Sequence, residues 1–481
     1  LAERLPELFN IIKGDMSLVG PRPLSIYYLP HYPSRFRKRH EVRPGLTGLA
    51  QVNGRNNLQW DDRFDLDIKY VDNISLRMDA KIVFNTLRKV IKHSDITVRG
   101  TNKIKDYGPY CVLFEEGQMG RGMPEMSTYS EIGSYFWLND SIPSGDNRND
   151  WLPKAGDSCF TFSGRSAIDI ALRDILNNRN IKTVYVPSYC CVSMLQAFYD
   201  REMQIKFYNV RFESGQLAYQ MPQLDNRSIV LVMSYFGLNP KSSREMIREA
   251  HDKGAVIIED ITHSLLRNDA ASDLSDYIVA SLRKWFAIPT GGWVGKRNGK
   301  IAEKPYLDGN DAVLDKIAAM HEKYRYLNGN LNTKEGFLEA QATFENDLIH
   351  VDRMLKIDDL SLQILRGLDI EQIINQRRKN AETLLKNLLD LYDIISIPVI
   401  DLSADVPLFL PIFMETKLRE SLREYLIKQN IYCPVHWPEV MGAQVGIREN
   451  ELSLICDQRY SINDMTIITK AIHAWYHTVK N

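Results

Sequence analysis

Two short stretches, SIVLVMSYFG (228–237) and AVIIED (255–260), carry unbroken apolar runs on either side of a helical-period segment, KSSREMIREAHDKG (241–254). A strand that is apolar on both faces has no tolerable place at a solvated sheet surface. It belongs between two covering layers, which is the situation of a parallel sheet whose crossover helices supply the cover. The same alternation begins upstream. FTFSG (160–164) leads into the helical SAIDIALRDILNN, TVYVPSY (183–189) reads as a strand, CVSMLQAFYDR as a helix and QIKFYNV (204–210) as a strand. This predicts an α/β domain with a parallel-rich sheet and helices on both faces. Residues 311–397 are mostly long helical patterns. FLPIFM, a following helix and IYCPVHWP (431–438) then predict a smaller α+β lobe at the C-terminal end.

The 481 residues are enough for about three domain-sized units. The net charge of −1 conceals an asymmetry: residues 1–105 hold 19 Lys and Arg against 11 Asp and Glu, and the remainder is acidic. Such a split predicts modules with different partners, the basic one facing an anionic lipid surface, a phosphorylated substrate or nucleic acid. The six cysteines lack metal-ligand spacing and suit a reducing cytoplasm. No run reaches the roughly 18 apolar residues of a spanning helix. The chain opens on Leu-Ala-Glu, and a longer natural N-terminus is expected.

Three chemically suggestive groups fall at strand ends, where open α/β sheets bind ligands. SGRSA (163–167) follows a strand and opens a helix, so its backbone N–H groups and the helix N-terminus favour an anion; it also reads as an ordinary N-cap. Asp260 ends the apolar AVIIED and reads either as a capping or ion-paired acid or as a partner for a cofactor ring nitrogen. Lys284, in ASLRKWFAIPTGG (280–292), ends the next strand signal among bulky apolar neighbours. It reads either as a lysine whose stem lies on apolar surface or as an amine that condenses with an aldehyde. A phosphate cradle, a deep acid and a lysine are together the three handles of pyridoxal 5′-phosphate (PLP).

Order and spacing resemble the DegT-like nucleotide-sugar aminotransferases, which are fold-type-I PLP enzymes. The resemblance covers about residues 130–481 and rests on SGRSA, VPSY, IIEDITHS, SLRKWFAIPTGG, the helix MLKIDDLSLQILRGLDIEQIINQRRKNA and IYCPVHWP. It implies that Lys284 bonds to the cofactor aldehyde and that Asp260 pairs with the pyridinium. It further implies that Gly164, Arg165, Ser166 and Ser281 hold the phosphate, and that Gly291-Gly292 forms the turn after the lysine. His263 stands where the family often has glutamine against the cofactor; it reads equally as a satisfied polar residue at a helix start. Ser281 lies three residues before the lysine, against the commoner five. Tyr189 and His436 are placed near the substrate, with packing roles as the alternative, and Tyr235 borders the pocket on the same terms. Glutamate as amino donor and a homodimer follow from the family.

The basic front, residues 1 to about 100, carries GDMSLVGPRP and PGLTGLAQVNGRN. It resembles the catalytic part of bacterial phosphoglycosyl transferases, which move a sugar 1-phosphate from a nucleotide sugar onto a polyprenyl phosphate at the membrane. Arg22, Arg43 and Arg55 then offer planar forks to phosphate oxygens, with surface ion pairing as the alternative. Asp65 and Asp67 are read as positioning an arginine or a magnesium ion, or as helix caps. The family's Asp-Glu pair, nucleophile and magnesium partner, is replaced here by Glu3-Arg4. A carboxylate stays at the nucleophile position, Glu3, while the metal-assisting acid has become a cation.

The organisation expected is therefore a small loop-rich helical transferase-like module at 1–108, a linker or arm at 109–150, a PLP-binding large domain at 151–300, and a helical segment with the small lobe at 301–481. The function expected is amination of a nucleotide-linked keto sugar by a chain fused to a sugar-1-phosphate transferase segment, in polysaccharide or glycoconjugate synthesis. The expected setting is cytoplasmic, at the inner face of the membrane through the front module, with no nucleic-acid partner. A non-catalytic or partly degenerate fusion and a PLP-dependent sugar dehydratase are the alternatives.

Overall fold

The computed structural model describes residues 11, 13–14, 16–22, 34–53, 60–91, 131–139, 150–308, 312–331, 333–437, 440, 443 and 446–480. The chain divides into two compact units, Leu1–Gly120 and Arg121–Asn481.

In the front unit, β1 (Ser17–Val19) and β2 (Gly45–Thr47) form a parallel two-stranded ladder inside segments that read as loop. Glycine is what lets them meet. A Cβ on Gly45 would fall 2.1 Å from the Gly20 nitrogen, and one on Gly48 would fall 2.2 Å from the Gly20 carbonyl oxygen. The glycines of SLVGPRP and PGLTG are thus one contact seen from two sides. Around the ladder lie a 3-10 turn (Ser34–Glu41), α1 (Leu49–Asn53), α2 (Trp60–Asp72) and α3 (Leu76–Ile91). Phe36 and Phe64 pack ring to ring at 5.0 Å. Val19, Tyr70 and Ile82 form a small core.

The rear unit is built on a seven-stranded sheet. In chain order, β3 (Ile132–Gly133) precedes the sheet strand β4 (Asp157–Thr161), followed by α4 (Gly164–Asn178), β5 (Thr183–Pro187), α5 (Val192–Tyr199) and β6 (Gln204–Tyr208). A hairpin of β7 (Val210–Glu213) and β8 (Gln216–Tyr219) follows. Next come β9 (Ser228–Met233), α6 (Lys241–Asp252), β10 (Val256–Asp260), β11 (Tyr277–Ser281) and β12 (Gly292–Lys296). The sheet order is β4-β12-β11-β10-β9-β5-β6, and only β12 runs against the rest. Every residue of β9 and β10 is buried, as their apolar runs require. α4 packs on β11 and β12, and α6 on β9 and β10.

Four helices follow: α7 (Ala312–Leu327), α8 (Glu335–Asp347), α9 (Asp359–Arg366) and α10 (Ile370–Leu388). The last two start where side chains can cap them. Asp358 accepts from the Ser361 amide at 2.8 Å and Asp369 from the Gln372 amide at 2.9 Å. The small lobe consists of β13 (Leu410–Phe413), α11 (Thr416–Lys428), β14 (Ile431–Tyr432), β15 (Glu451–Leu454) and α12 (Ile462–Lys480). β13 and β15 pair antiparallel, and β14 pairs in parallel with the distant β3. Residues 131–138 are thereby bound to the small lobe, with Ile132 and Trp137 in its core.

Candidate active site

β10 and β11 are parallel neighbours whose carboxyl ends open on one edge of the sheet. Asp260 closes β10. The residue is 4% exposed, and Oδ1 accepts the Thr262 amide at 2.8 Å. Burial pushes this carboxyl up to about 6, against the pull of the Thr262 hydrogen bonds. Thr262 makes two more bonds. Its Oγ1 accepts the Ser281 amide at 2.9 Å and its carbonyl accepts the Trp285 indole N–H at 2.6 Å. The acid and the segment after β11 are thus tied through one threonine.

Lys284 lies beyond the end of β11, whereas the sequence pattern predicts it at the strand end. It closes a 3-10 turn, Leu282–Lys284, beyond β11, and its side chain is exposed. The cause is local. The Leu282 amide bonds to the Gly291 carbonyl at 3.1 Å, and the Trp285 and Phe286 amides turn back to the Leu282 carbonyl at 3.0 and 3.2 Å. Leu282, Trp285 and Phe286 take the buried positions, which leaves the lysine facing outward. Gln458 of the small lobe holds the turn from behind, donating to the Trp285 carbonyl at 2.6 Å, and the Arg377 guanidinium lies 4.5 Å over the indole.

SGRSA comes to the same place. The Ser163 hydroxyl accepts the Ser166 amide at 3.2 Å and caps α4. A Cβ on Gly164 would stand 2.8 Å from the Ser281 Cβ, and one on Gly292 would stand 2.3 Å from the Ser163 carbonyl oxygen. The helix N-terminus, Ser281 and the Gly291-Gly292 turn therefore pack against one another with no room for a side chain between them. Ser166 is fully buried, while Arg165 and Ser281 are half-buried. Helix-terminal amides, serine hydroxyls and an arginine are a phosphate donor set. With an acid held at depth and an exposed amine, the residues present fit PLP.

Aromatic rings line a further wall. His263 is buried, and its Nδ1 accepts the Phe236 amide at 3.3 Å. Burial, then the nearby His436 and Lys284, hold the His263 imidazole well below its ordinary value, so the ring is neutral. Its centroid lies 5.6 Å from His436 and 5.3 Å from Trp437. The Tyr189 ring packs tilted against Tyr235 at 5.1 Å and against Trp437 at 5.0 Å, and its hydroxyl donates to Glu451 Oε2 at 3.4 Å. Beside Lys284, Arg283 grips Glu345 through two bonds of 3.0 and 3.1 Å, and buried Lys316 lies 3.4 Å from the same carboxylate. Burial, followed by Arg283, pushes the Lys316 ammonium down to about 7.

The structure thus brings Asp260, Ser281, Gly164, Arg165 and Ser166 to one edge with the Lys284 turn, and His263, Tyr189 and His436 to one aromatic wall. Sequence reasoning passed over Thr262, Glu451, Ser453 and the Arg283–Glu345–Lys316 group. Thr262 lies inside the quoted IIEDITHS. Glu451 carried a readable signal, an acid opening ELSL with its alternating leucines.

In the front unit, Arg22 is exposed and its carbonyl accepts from Arg39 at 2.8 Å. Arg43 donates to the Gly14 carbonyl at 3.0 Å. Glu3, Arg4 and Arg55 lie outside the described residues. Asp65 is exposed, whereas Asp67 is buried and takes Arg39 through Nε at 3.1 Å and Nη2 at 2.8 Å. Burial pushes Asp67 up to about 6, with Arg39 opposing. Among the described residues, no helix is long and apolar enough to cross a membrane, and no group of three or more His, Cys, Asp or Glu is placed to hold a metal ion.

Residues 2–93 match the bacterial sugar transferase family. Over 89 residues the chain is 55% identical to the uncharacterized sugar transferase EpsL of Bacillus subtilis, covering 18% of this chain and 44% of that protein. Over 90 residues it is 44% identical to the undecaprenyl-phosphate galactose phosphotransferase of Salmonella typhimurium, covering 19% of each. The chain therefore spans less than half the length of these relatives. Among solved structures, the aminotransferase TlmJ of Streptoalloteichus hindustanus superposes with a TM-score of 0.48 at 14% identity, over 67% of this chain and 87% of that one. A likeness of that size decides nothing about chemistry, which has to come from the residues.

Proposed function

We propose that the rear unit is a PLP-dependent aminotransferase acting on a nucleotide-linked keto sugar, joined to a sugar-transferase segment that recognises phosphates. The observation that carries the reading is the packing of Gly164 against Ser281. It sets a helix N-terminus beside the strand end that leads to Lys284, one strand from Asp260. When bound, PLP supplies an aldehyde carbon that accepts amines and a ring that withdraws electrons.

The chain's residues do the rest. The amides of the first turn of α4, with Ser166, Arg165 and Ser281, hold the phosphate group. The Asp260 carboxylate holds a proton on the ring nitrogen, and that cation in turn offsets the cost of a carboxylate so deeply buried. Lys284 Nζ would hold the cofactor's aldehyde carbon and, as a free amine, would move a proton at the reacting carbon. Exposure of Lys284 gives it a path to substrate. His263 and Tyr189 form the aromatic wall beside it.

Glutamate as donor, a homodimer, and a place at the inner membrane face belong to the same proposal. So do a polyprenyl phosphate acceptor and Mg²⁺ at the front unit. Residues 1–108, 109–150, 151–300 and 301–481 are its working divisions. For the front unit, Glu3-Arg4 in place of an acid pair favours phosphate recognition over turnover.

The test is spectroscopic. Wild type should acquire a visible absorbance band with PLP that borohydride bleaches irreversibly, and Lys284→Ala should not. Nitrogen-labelled glutamate with a panel of keto-sugar nucleotides should then yield a labelled amino sugar. Identical spectra for wild type and Lys284→Ala would end the reading.

A further inference from the structure

Glu451 opens β15 with no exposed surface, and three donors converge on its carboxylate. The Ser453 hydroxyl donates to Oε1 at 2.5 Å. The His436 amide donates to Oε2 at 2.9 Å, and the Tyr189 hydroxyl donates to the same oxygen at 3.4 Å. A carboxylate in that position only accepts. Ser453 has one hydroxyl hydrogen, and Glu451 takes it. The Ser453 oxygen also lies 3.1 Å from His436 Nδ1, so this second contact needs a hydrogen on Nδ1. Glu451 Oε1 lies 3.6 Å from Nδ1, beyond hydrogen-bond reach, so the arrangement depends on the serine between them.

The neighbouring ring is set the other way. His263 Nδ1 accepts the Phe236 amide, so a neutral His263 carries its hydrogen on Nε2. The two imidazoles, with centroids 5.6 Å apart, therefore hold opposite tautomers, each chosen by what its Nδ1 touches. This is how a carboxylate orients a histidine for proton transfer, here with a serine between them.

We propose that Glu451 and Ser453 are positioning residues that hold His436 in its Nδ1–H form, making Nε2 of His436 a second proton carrier of the pocket beside Lys284, serving an oxygen of the bound substrate. The proposal rests on the aminotransferase reading for its reaction. When a ketone oxygen is replaced by nitrogen, a C–N bond forms, the C–O bond breaks, and the oxygen leaves as water. Both hydrogens of that water originate on the attacking amine. Nε2 takes one and delivers it to the departing oxygen, and Lys284 Nζ carries the other. While Nε2 holds its proton, the positive ring donates through Nδ1 to Ser453, which donates to Glu451. No oxidant or further reactant is needed.

The experiment reads the tautomer first. Long-range nitrogen–proton spectra of the full chain without added cofactor, with His436 assigned by His436→Asn, should show Nδ1–H for His436 and Nε2–H for His263. Ser453→Ala should move His436 to the Nε2–H form, and Ser453→Thr, which keeps the hydroxyl, should restore the original pattern. With cofactor and keto sugar, Ser453→Ala should lower kcat about tenfold and His436→Asn about 100-fold, each at nearly unchanged KM for glutamate. Nε2–H on His436 in wild type, or an unchanged kcat in Ser453→Ala, overturns the proposal. Failure of the aminotransferase reading would appear separately, as a wild-type protein that forms no borohydride-sensitive band while the tautomers stand as stated.

Discussion

Asp260→Asn should stabilise the cofactor-free protein at neutral pH. In the folded chain this carboxyl is pushed by burial from 3.8 to about 6. The folded state therefore binds its proton more tightly than the unfolded chain does. Between about pH 4 and 6 the native state holds the extra proton, so the contribution of Asp260 to stability falls as pH rises through that window and stays lost above it. The displacement from 3.8 to about 6 corresponds to about 3 kcal/mol. Asparagine keeps the oxygen that accepts the Thr262 amide and never ionises. Urea unfolding of wild type and Asp260→Asn, followed side by side from pH 4 to 8, isolates the effect, since all other groups cancel in the difference. The two should differ little at pH 4, and the variant should lead by about 3 kcal/mol at pH 7. Parallel stability curves across the range would refute the claim that the acid is desolvated. The same variant should bind PLP more weakly, because in the proposed function Asp260 is the partner of the ring nitrogen.

Gly164→Ala places a methyl 2.8 Å from the Ser281 Cβ, so PLP titration should show affinity falling by about tenfold or more, equivalent to about 1.4 kcal/mol; unchanged affinity would mean that the cradle is not a cradle. In the front unit, Arg39→Ala strands the buried Asp67 and should cost about 3–5 kcal/mol in urea unfolding of that unit, with much recovered in the double variant that also carries Asp67→Asn. Because His263 is held well below its ordinary value, its ring resonances should stay flat from pH 5 to 8 in proton NMR, and a midpoint inside that range would contradict the burial described.

The apolar runs at 228–233 and 255–260 were enough to place a two-sided sheet, and the positions of SGRSA and Asp260 at its edge were legible because strand ends can be read from where such runs stop. What could not be read was the reversal of β12, which depends on the Gly291-Gly292 turn returning against Thr161 rather than on any periodicity. The exposure of Lys284 was hidden for a similar reason. Its neighbours are bulky, but a 3-10 turn sends them to one side and the lysine to the other. In the front unit the glycines looked like loop punctuation, whereas Gly20, Gly45 and Gly48 are spent on strand contact. Glu451 meets Tyr189 across 262 residues of chain, and no local pattern announces a partner at that distance.

Thr262 has a consequence for how such a chain can change. Its amide, hydroxyl and carbonyl join the acid-bearing strand to the lysine-bearing turn at a point only two residues past Asp260. The loop that follows, up to β11, can therefore gain or lose residues without altering the distance between carboxylate and amine. Drift in length there would leave the chemistry in register, while a change at 262 to a residue without a hydroxyl would take from the Ser281 amide its acceptor and leave the backbone ladder of β10 and β11 in place.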